Sequence, residues 1–502
     1  MTAASRIGGE AMRNRSKRLV LVGLACLAAC GILILLLAMP LSPKHGADEE
    51  PGKGEALMGK RIQLDYDTAY QKIDGFGASG AWWAQEVGGW KQLDAIMDLL
   101  YDDKQGIGLD IYRYNIGAGK PTIATDPWRT TMTVEVSPGV YDLDRDRNAI
   151  QAMKEAAKRG ADIVLFANSP PARLTASGYS SGEPSGKPNL PPENEEAFAK
   201  YLVDITELIV REGLPVKYLS PINEPQWDWK GGQEGCHYEP EQVIRLSRKV
   251  ALELEARKLP VKLLVAESGT WNDPEYTLAM YKRIMGDEVL SRAIDAYAVH
   301  SYWSSVKDKK IAAEYFSQFD DLLPLHQTEW CEMVDGNAAG MEAALVLART
   351  IHEDMTILSV STWEQWLAVA KGDYRDALVY VDPSTRQFGA AKRMWSFGNY
   401  SRFIQPGSTR IGAASEDSDV LASAYVSPDQ DRTVIVAVNA GKQEKPVSFE
   451  GLHGKKAEIY ETSEARDLGL VKEVSSLGNY VLPPESVTTF VVQARTAGFW
   501  QR

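Results

Sequence analysis

The chain between about residues 73 and 395 alternates between two hydrophobic periods. Short runs of β-branched and apolar residues are typical of buried parallel strands. Longer stretches with apolar residues every three or four positions separate these runs and predict amphipathic helices. The predicted strands are Ile73–Gly77, Gly108–Asn115, Ile163–Asn168, Val216–Ile222, Lys262–Ala266, Ala293–His300, Leu323–Thr328 and Thr356–Trp363. The predicted helices include Ala149–Arg159, Asn194–Glu212, Glu239–Ala256, Glu275–Met285 and Gly340–Asp354. This alternation predicts an α/β fold, a (β/α)₈ barrel with enlarged loops over residues 71–398.

The pattern changes after Tyr400, where no segment has a helical period. Short strand-like runs are separated by turn clusters such as Ser427-Pro428-Asp429. The pattern over residues 399–496 therefore predicts an antiparallel β-sandwich. The strand-like residues 60–70 are expected to complete its sheet. The predicted sandwich strands are Val420–Val426, Arg432–Asn439, Glu444–Phe449, Lys456–Thr462, Val471–Val474 and Ser486–Ala494.

The N-terminus has the pattern of an export or anchoring signal. Residues 1–18 carry five bases and one acid, and the run from Leu19 to Met39 is uncharged and apolar. Its length suffices to span a bilayer, and basic residues before it predict a cytoplasmic N-terminal side. Residues 19–41 are thus interpreted as a single-pass anchor or a signal peptide, followed by a linker over 42–59. Leu27-Ala28-Ala29-Cys30 also resembles a lipoprotein cleavage box. All three alternatives place the remaining chain outside the cytoplasm, secreted or on the cell surface.

Charge and cysteine content restrict the partners and the compartment. The net charge is −13, and it becomes −17 without residues 1–41. A body this acidic argues against nucleic acid or an anionic membrane surface as a partner. Beyond the apolar run the cysteines are Cys236 and Cys331, both expected at the same end of the barrel. A disulfide between them is one alternative, and two free thiols are the other.

Two carboxylates directly follow predicted barrel strands. Glu224 lies in Asn223-Glu224-Pro225 after the fourth strand, and Glu329 lies in Thr328-Glu329-Trp330 after the seventh. In a (β/α)₈ barrel the carboxyl ends of the strands meet at the catalytic face. Retaining hydrolysis of a glycosidic bond needs such a pair, one as general acid/base and one as nucleophile. The chain also has 13 Trp and 21 Tyr, whose rings suit sugar faces as well as hydrophobic cores.

These segments together resemble glycoside hydrolase family 30, over about residues 60–496. The resemblance is carried by Ile73-Asp74-Gly75-Phe76-Gly77, Asn168-Ser169-Pro170-Pro171, Asn223-Glu224-Pro225, Gln233-Glu234-Gly235-Cys236-His237-Tyr238, His300-Ser301-Tyr302-Trp303 and Thr328-Glu329-Trp330. It implies a retaining barrel joined to a β-sandwich that both chain ends form. The second and fourth segments look most like the branch that contains endo-β-1,6-galactanases.

The resemblance implies a role for each matching residue. Glu224 resembles the general acid/base and Glu329 the nucleophile. The residues that it implies for substrate binding, or for orienting the carboxylates, are Arg113, Asn168, Asn223, Trp82, Trp227, His300, Tyr302 and Trp363. Among these, Arg113 is expected beside the nucleophile, and Trp363 is expected to end strand eight and floor the sugar pocket.

Other polar residues near these segments have different expected roles. Glu267 ends the fifth strand and is expected to bond Arg113 or substrate, while Asp74 is expected to cap a turn. Ala172-Arg173-Leu174 replaces the bulky aromatics that often follow Asn-Ser-Pro-Pro in the family. This departure suggests that Arg173 meets an acidic sugar decoration such as a uronic acid.

The expected function is that of a secreted or anchored, monomeric, endo-acting β-glycosidase. The expected partner is a polysaccharide or oligosaccharide, foremost β-1,6-galactan, and neither a cofactor nor a metal is expected. A β-1,6-glucanase, a xylan-acting or β-glucosyl-acting hydrolase, and a non-catalytic carbohydrate-binding surface protein are alternatives. The chain has no H-E-x-x-H motif, which argues against a zinc peptidase. Gly178-Tyr179-Ser180-Ser181-Gly182 fits the G-x-S-x-G spacing, but it lies in a Gly/Ser/Pro-rich stretch and not at a strand-to-helix turn, which argues against an esterase.

Overall fold

The computed structural model describes residues 59–494. The predicted basic segment, the export or anchor segment, and the linker up to residue 58 lie outside this range. Within residues 59–494, no helix combines the length and the apolar character needed to cross a membrane.

Eight parallel strands form a closed barrel, which confirms the predicted fold class. The barrel strands are β2 (Gly75–Ser79), β3 (Ile111–Asn115), β6 (Asp162–Phe166), β7 (Val216–Ser220), β8 (Lys262–Ser268), β9 (Ile294–Val299), β10 (Leu325–Gln327) and β11 (Thr362–Ala370). Hydrogen bonding runs in the order β10-β9-β8-β7-β6-β3-β2-β11, and pairing of β10 with β11 closes the ring. A hairpin of β12 (Ala377–Asp382) and β13 (Gln387–Ala390) extends from β11, and β4 (Glu135–Ser137) and β5 (Val140–Tyr141) form a small ribbon.

The helices lie between the strands, as the period of 3.6 predicts, with ends that differ by one or two residues, except that the predicted Glu275–Met285 begins as a π-helical turn and is α-helical only from Met280. Their apolar faces pack on the barrel in one large core. The α-helices in the described range are α1 (Ala84–Val87), α2 (Leu93–Tyr101), α3 (Arg147–Lys158), α4 (Glu195–Arg211), α5 (Pro240–Ala256), α6 (Met280–Met285), α7 (Leu290–Ala293), α8 (Val306–Phe316), α9 (Met341–Glu353) and α10 (Lys392–Ser401). A π-helical turn, Pro274–Ala279, precedes α6.

The eighth barrel strand begins six residues later than the predicted Thr356–Trp363. The segment Asp354–Leu358 is instead a π-helical turn that continues α9, and β11 begins at Thr362. A short apolar run with β-branched residues fits a buried helical turn as well as a strand. Here the buried Asp354 stabilises the helical turn, because its carboxylate accepts hydrogen bonds from Ser301 and from the Trp363 indole, both at 2.9 Å.

The second domain is a nine-stranded β-sandwich-like sheet in the order β19-β18-β21-β16-β15-β14-β1-β17-β20. Strand β1 (Lys60–Lys72) pairs with β14 and β17, so an N-terminal strand completes the C-terminal sheet as predicted. The remaining strands are β14 (Thr409–Ser415), β15 (Val420–Val426), β16 (Arg432–Asn439), β17 (Lys445–Glu450), β18 (Ala457–Ser463), β19 (Arg466–Val474), β20 (Asn479–Leu482) and β21 (Ser486–Gln493). The sequence pattern did not predict β14 and β20.

The sheet supports the barrel through one of its two faces. Along β16, Val434, Val436 and Val438 join the barrel core, whereas Ile435 and Ala437 join the sandwich's own core. This alternation follows from the two-residue period of a strand. The sandwich is therefore packed on both faces at this strand, and it braces the barrel by shared apolar burial.

Candidate active site

The two predicted catalytic carboxylates converge at the carboxyl end of the barrel. Glu224 follows β7 and Glu329 follows β10, and both line one cavity of about 340 Å³. One oxygen of each carboxylate and a ring nitrogen of His300 all lie within 4.8 Å of one another. This spacing is close to the 5–5.5 Å typical of a retaining pair and too short to leave room for a water between the groups. The cavity is lined by Trp82, Arg129, Glu224, Trp227, Asp228, Trp229, Gln233, Tyr302, Trp303, Glu329, Cys331, Met333, Trp366, Tyr374 and Asp376.

Arg113 on β3 organises the carboxylates from below. Its Nη1 donates to Glu329 Oε2 at 2.6 Å, and its Nη2 donates to Glu267 Oε2 and Asn223 Oδ1, each at 2.9 Å. The guanidinium is fully buried and lies 3.6 Å from the centre of the Phe166 ring. Such charge-assisted hydrogen bonds fix the position of each acceptor in a low-dielectric site. The bond between Glu267 and Arg113 is one of the two alternatives stated for Glu267 above.

Glu329 receives the donors that a nucleophilic carboxylate needs. Besides Arg113, the Tyr302 hydroxyl donates to Glu329 Oε1 at 3.1 Å. Burial raises the pKa of Glu329 above its ordinary value, and the positive charge of Arg113 opposes that rise. Burial likewise disfavours the charged form of Glu267, but the Arg113 guanidinium holds the pKa of that carboxyl below its usual range. Both carboxylates thus face a permanent cation.

Glu224 has a different environment, because no Arg or Lys side chain bonds its carboxyl group among the described residues. Burial raises the pKa of Glu224 to about 8, which keeps the group protonated at neutral pH. Its Oε1 lies 3.0 Å from His300 Nδ1, and burial lowers the pKa of His300. The two environments therefore differ: burial favours the protonated form of Glu224, whereas the Arg113 cation favours the ionised form of Glu329, as a general acid and a nucleophile require.

The cluster of Glu224, His300 and Glu329 has donor atoms close enough to hold a metal ion. Two of its contacts are already made, since His300 Nδ1 bonds Glu224 and Arg113 Nη1 bonds Glu329. Arg113 supplies the cation that balances Glu329. The geometry therefore favours proton transfer and nucleophilic attack by this cluster over metal ligation.

Family comparisons agree with this geometry. The model of O-Glycosyl hydrolase family 30 matches residues 59–380, and the model of the Glycosyl hydrolase family 30 beta sandwich domain matches residues 407–490. The chain belongs to glycoside hydrolase family 30. This confirms the resemblance that the motifs indicated, and it makes the protein an O-glycosyl hydrolase by family.

Relatives of the family 30 chain differ in their stated substrates. Glucuronoxylanase XynC of Bacillus subtilis is 24% identical over 367 residues, which cover 70% of this chain and 79% of that protein. The endo-beta-1,6-galactanase of Hypocrea rufa is 24% identical over 415 residues, covering 76% of this chain and 81% of that one. A conserved exported protein from Bacteroides fragilis has a similar structure, with a TM-score of 0.78 and 25% identity over 86% of this chain and all of that chain.

Three further predicted site residues have defined positions. Trp82 and Trp227 line the cavity with Glu224 and Glu329. Asn168 follows β6 at the same end of the barrel, and it is buried with no partner for its Nδ2 among the described residues. An unpaired buried donor is costly, so this amide is a candidate for bonding a sugar oxygen.

Trp363 is not in the pocket, contrary to the prediction. Because β11 begins at Thr362, Trp363 lies at the start of the strand, fully buried, with its indole bonded to Asp354. Trp366, three residues further along the strand, lines the cavity and packs edge-on against Trp82 at 5.2 Å between ring centres. Because the strand starts later than predicted, the aromatic side chain that lines the cavity from this strand is Trp366 and not Trp363.

The hypothesis that Arg173 meets an acidic sugar decoration is wrong for this structure. Arg173 Nε and Nη2 donate to the two oxygens of Glu135, at 2.8 and 2.5 Å. Glu135 is nearly fully buried, so separating this bidentate pair would leave its charge without a partner. Arg173 is also absent from the residues that line the catalytic cavity.

Two other sequence alternatives are resolved. Cys236 and Cys331 are both buried and free, so the disulfide alternative is wrong. Cys331 lines the cavity, and its Sγ lies 3.8 Å from the Tyr302 hydroxyl. Asp74 does not cap a turn, since its carboxylate bonds His326 Nε2 at 3.1 Å.

Several cavity residues on loops were not predicted from the sequence. Arg129, Tyr374 and Asp376 line the cavity, and burial raises the pKa of Asp376 to about 6. These residues follow β3 and β11 at distances that no motif predicts. Aromatic and charged residues in long loops after barrel strands were the available signal, because such loops build the catalytic face.

The motif Gln233–Tyr238 holds the cavity wall in place. Glu234 is fully buried, and it accepts hydrogen bonds from the backbone of Ala118 and Thr131 and from the Asn115 amide at 3.1–3.3 Å. These bonds tie the loop after β7 to the loop after β3. Gln233, next to this anchor, lines the cavity.

Gly269, directly after β8, leaves space for the Glu224 carboxyl. A Cβ at this position would lie 2.8 Å from Trp227 Nε1 and 2.9 Å from Glu224 Oε1. We expect Gly269→Ala to displace the Glu224 carboxyl and lower kcat/KM by about 100-fold, since a 1 Å misplacement has an effect of this order. Gly232→Ala is the matched control, because a Cβ there meets no atom within 4 Å. Equal activity of the two variants in a steady-state assay would contradict this reading of Gly269.

Proposed function

We propose that this family 30 protein cleaves within a polysaccharide by double displacement, and that its substrate is β-1,6-linked galactan. The observation that carries the proposal is the convergence of Glu224 and Glu329, whose oxygens lie within 4.8 Å across one cavity. Their unequal environments, described above, divide the work between an acid and a nucleophile.

In the first step, Glu329 attacks the anomeric carbon while protonated Glu224 donates its proton to the leaving glycosidic oxygen. The bond between that carbon and the oxygen breaks, and a covalent ester to Glu329 forms. In the second step, Glu224 removes a proton from water, which attacks the same carbon and releases Glu329. Two inversions leave the anomeric configuration retained. In this proposal Asn223, whose Oδ1 accepts a hydrogen bond from Arg113, bonds the 2-hydroxyl of the sugar.

Sequence resemblance supports galactan over other glycans. The Asn168–Pro171 and Gln233–Tyr238 segments look like the galactanase branch, and the Hypocrea rufa endo-beta-1,6-galactanase aligns over 76% of the chain. An exo-beta-1,6-galactobiohydrolase of Bifidobacterium longum is also 27% identical over 223 residues. Xylan and glucan are the second candidate substrates. They are suggested by the glucuronoxylanase relatives and by an endo-beta-1,6-glucanase of similar fold.

An exposed rim supports internal cleavage. Trp303 is 66% exposed and Met333 is 53% exposed, and both line the cavity that holds Glu329. Trp227 packs edge-on against Trp303 at 5.4 Å. This apolar surface continues outward from the reacting centre, where further sugar rings of a longer chain would stack.

A glycan panel tests the substrate. We expect the protein to release short galacto-oligosaccharides from arabinogalactan stripped of arabinose, and to leave pustulan, glucuronoxylan and laminarin uncut. Product lengths over time distinguish endo from exo action, and the anomeric configuration of the first product distinguishes retention from inversion. Cleavage of glucuronoxylan alone would replace galactan by xylan, and cleavage of none together with tight binding would favour a non-catalytic binding protein.

We further propose that the protein acts as a monomer outside the cytoplasm. The basic residues before the apolar run of residues 19–39 support export or tethering to a membrane. The negative net charge of the chain is compatible with a polysaccharide partner, because binding of hydroxyl-rich sugars does not require a positively charged protein surface.

A further inference from the structure

A second cavity, of about 570 Å³, lies beside the catalytic one and shares Trp82 with it. Its walls come from the segment around α1, from the loop after β3 and from the β11–β13 region. The residues on which the argument rests are Trp82, Gln85, Trp90, Trp128, Lys371 and Arg386. Its volume suits one or two sugar rings, and its position adjoins the cavity in which the proposed cleavage occurs.

Three indoles, those of Trp82, Trp90 and Trp128, line this cavity. Trp82 borders both cavities, so the two cavities are neighbours that share one indole. Trp128 is half-buried, and Lys371 Nζ lies 4.9 Å from its ring centre. Indole faces pack against the apolar C–H surface of a sugar, and among the three the half-buried Trp128 has the largest exposed fraction.

Polar donors at this cavity lack acceptors in the described part of the chain. Trp82 Nε1 and Gln85 Nε2 are buried without a hydrogen-bond partner. Buried donors normally have partners, and leaving them unpaired is unfavourable. A ligand rich in acceptor oxygens would satisfy them.

Two cationic side chains used in this argument, Lys371 and Arg386, line the cavity, and Arg386 is the one without an ion pair among the described residues. Lys371 already pairs with Asp126 at 3.2 Å. Arg386 is exposed, lies over Trp90 with 5.9 Å between Cζ and the ring centre, and has no ion pair within residues 59–494. The exposed Glu86 also lines the cavity. Arg386 therefore offers a planar set of donors at the mouth of a cavity with aromatic walls.

We infer that this cavity is a second glycan-binding subsite, which holds a further sugar unit or a side branch of the polysaccharide cleaved at Glu224 and Glu329. Trp128 and Trp82 pack against that sugar, and Arg386 donates to its oxygens. The inference rests on the proposed glycan hydrolysis. It adds a specificity-determining region that a short substrate does not reach.

The test compares long and short substrates in Trp128→Ala and Arg386→Ala. The long substrate is whichever panel polysaccharide the wild-type protein cleaves, and the short one is an aryl β-glycoside of a single sugar. We expect each variant to lower kcat/KM on the polysaccharide about tenfold, mainly through KM, and to change activity on the aryl glycoside less than twofold. Arg292→Ala is the matched control, an exposed arginine that lines a cavity at the opposite end of the barrel.

Each outcome separates this inference from the proposed function. Unchanged kinetics on the polysaccharide, or equal losses on both substrates, would overturn the subsite while leaving hydrolysis intact. Failure of the wild-type protein to cleave any panel glycan would instead overturn the proposed function.

Binding of the same polysaccharide to Glu329→Ala, with and without Arg386→Ala, measures the subsite without turnover. A tenfold weaker affinity of the double variant supports it, and equal affinity contradicts it. Oligosaccharides with and without a terminal uronic acid show whether Arg386 prefers a carboxylate or hydroxyl groups.

Discussion

Glu329→Ala is expected to lower kcat on every glycoside substrate by about 10⁴-fold or more, a loss typical of removing a nucleophile. The neighbouring Glu267 cannot take its place, because Arg113 and Ser220 hold that carboxylate beneath the cavity. The fold should survive the change. Arg113 keeps its bonds to Glu267 and Asn223, so its buried charge remains paired.

Azide gives this prediction a stereochemical readout. In Glu329→Ala, azide occupies the space left by the carboxylate and displaces a good aryl leaving group from the opposite face, which yields the α-glycosyl azide. Glu332→Gln is the control, since Glu332 follows three residues later and bonds Arg375 at 2.9 Å. Activity should stay within about threefold of wild type in this control. A β-azide product from Glu329→Ala would show that Glu329 is not the nucleophile.

The positions of the two carboxylates could be predicted because barrel geometry converts sequence position into spatial position. A residue that directly follows a parallel barrel strand reaches the catalytic face whatever the loop lengths are. Glu329 and Glu224 lie two and four residues after the ends of β10 and β7, close enough to reach that face, and Arg113 lies within β3. The alternation of apolar runs and helical periods predicted those strands well, because both faces of a parallel barrel strand are buried.

The aromatic wall could not be predicted with the same accuracy, because it depends on where one strand begins. The run from Asp354 to Val360 is apolar and β-branched, yet Asp354 makes hydrogen bonds that stabilise a helical turn there. A shift of six residues in the start of β11 moved the predicted role from Trp363 to Trp366. Local pattern does not contain the tertiary hydrogen bonds of a buried Asp.

Pairings between side chains on distant loops also could not be predicted from the sequence. Arg173 and Glu135 are 38 residues apart, and Arg386 is far in sequence from the Trp90 ring that it overlies. The free state of Cys236 and Cys331 has the same origin, since a shared barrel end does not fix the distance between two side chains. Charge and residue type suggest such contacts, but loop conformation decides them.

Glu224→Ala is expected to separate substrates by their leaving groups. Loss of the general acid should lower kcat/KM on polysaccharide by about 10²–10⁴-fold. An aryl glycoside with a good leaving group needs no proton, so the ester to Glu329 still forms and then accumulates. Azide should rescue its turnover by attacking the ester from the face that the leaving group vacated, which yields the β-glycosyl azide.

The pH profile provides an independent check on the same residue. Burial raises the pKa of Glu224 to about 8, so the wild-type acid is protonated below that pH and loses its proton above it. The kcat/KM of the wild-type protein should therefore fall about tenfold per pH unit above pH 8, and this limb should disappear in Glu224→Ala. Glu239→Ala is the control, an exposed carboxylate on the same loop that should keep the limb. An unchanged limb in Glu224→Ala, or an α-azide product, would assign the acid role to another group.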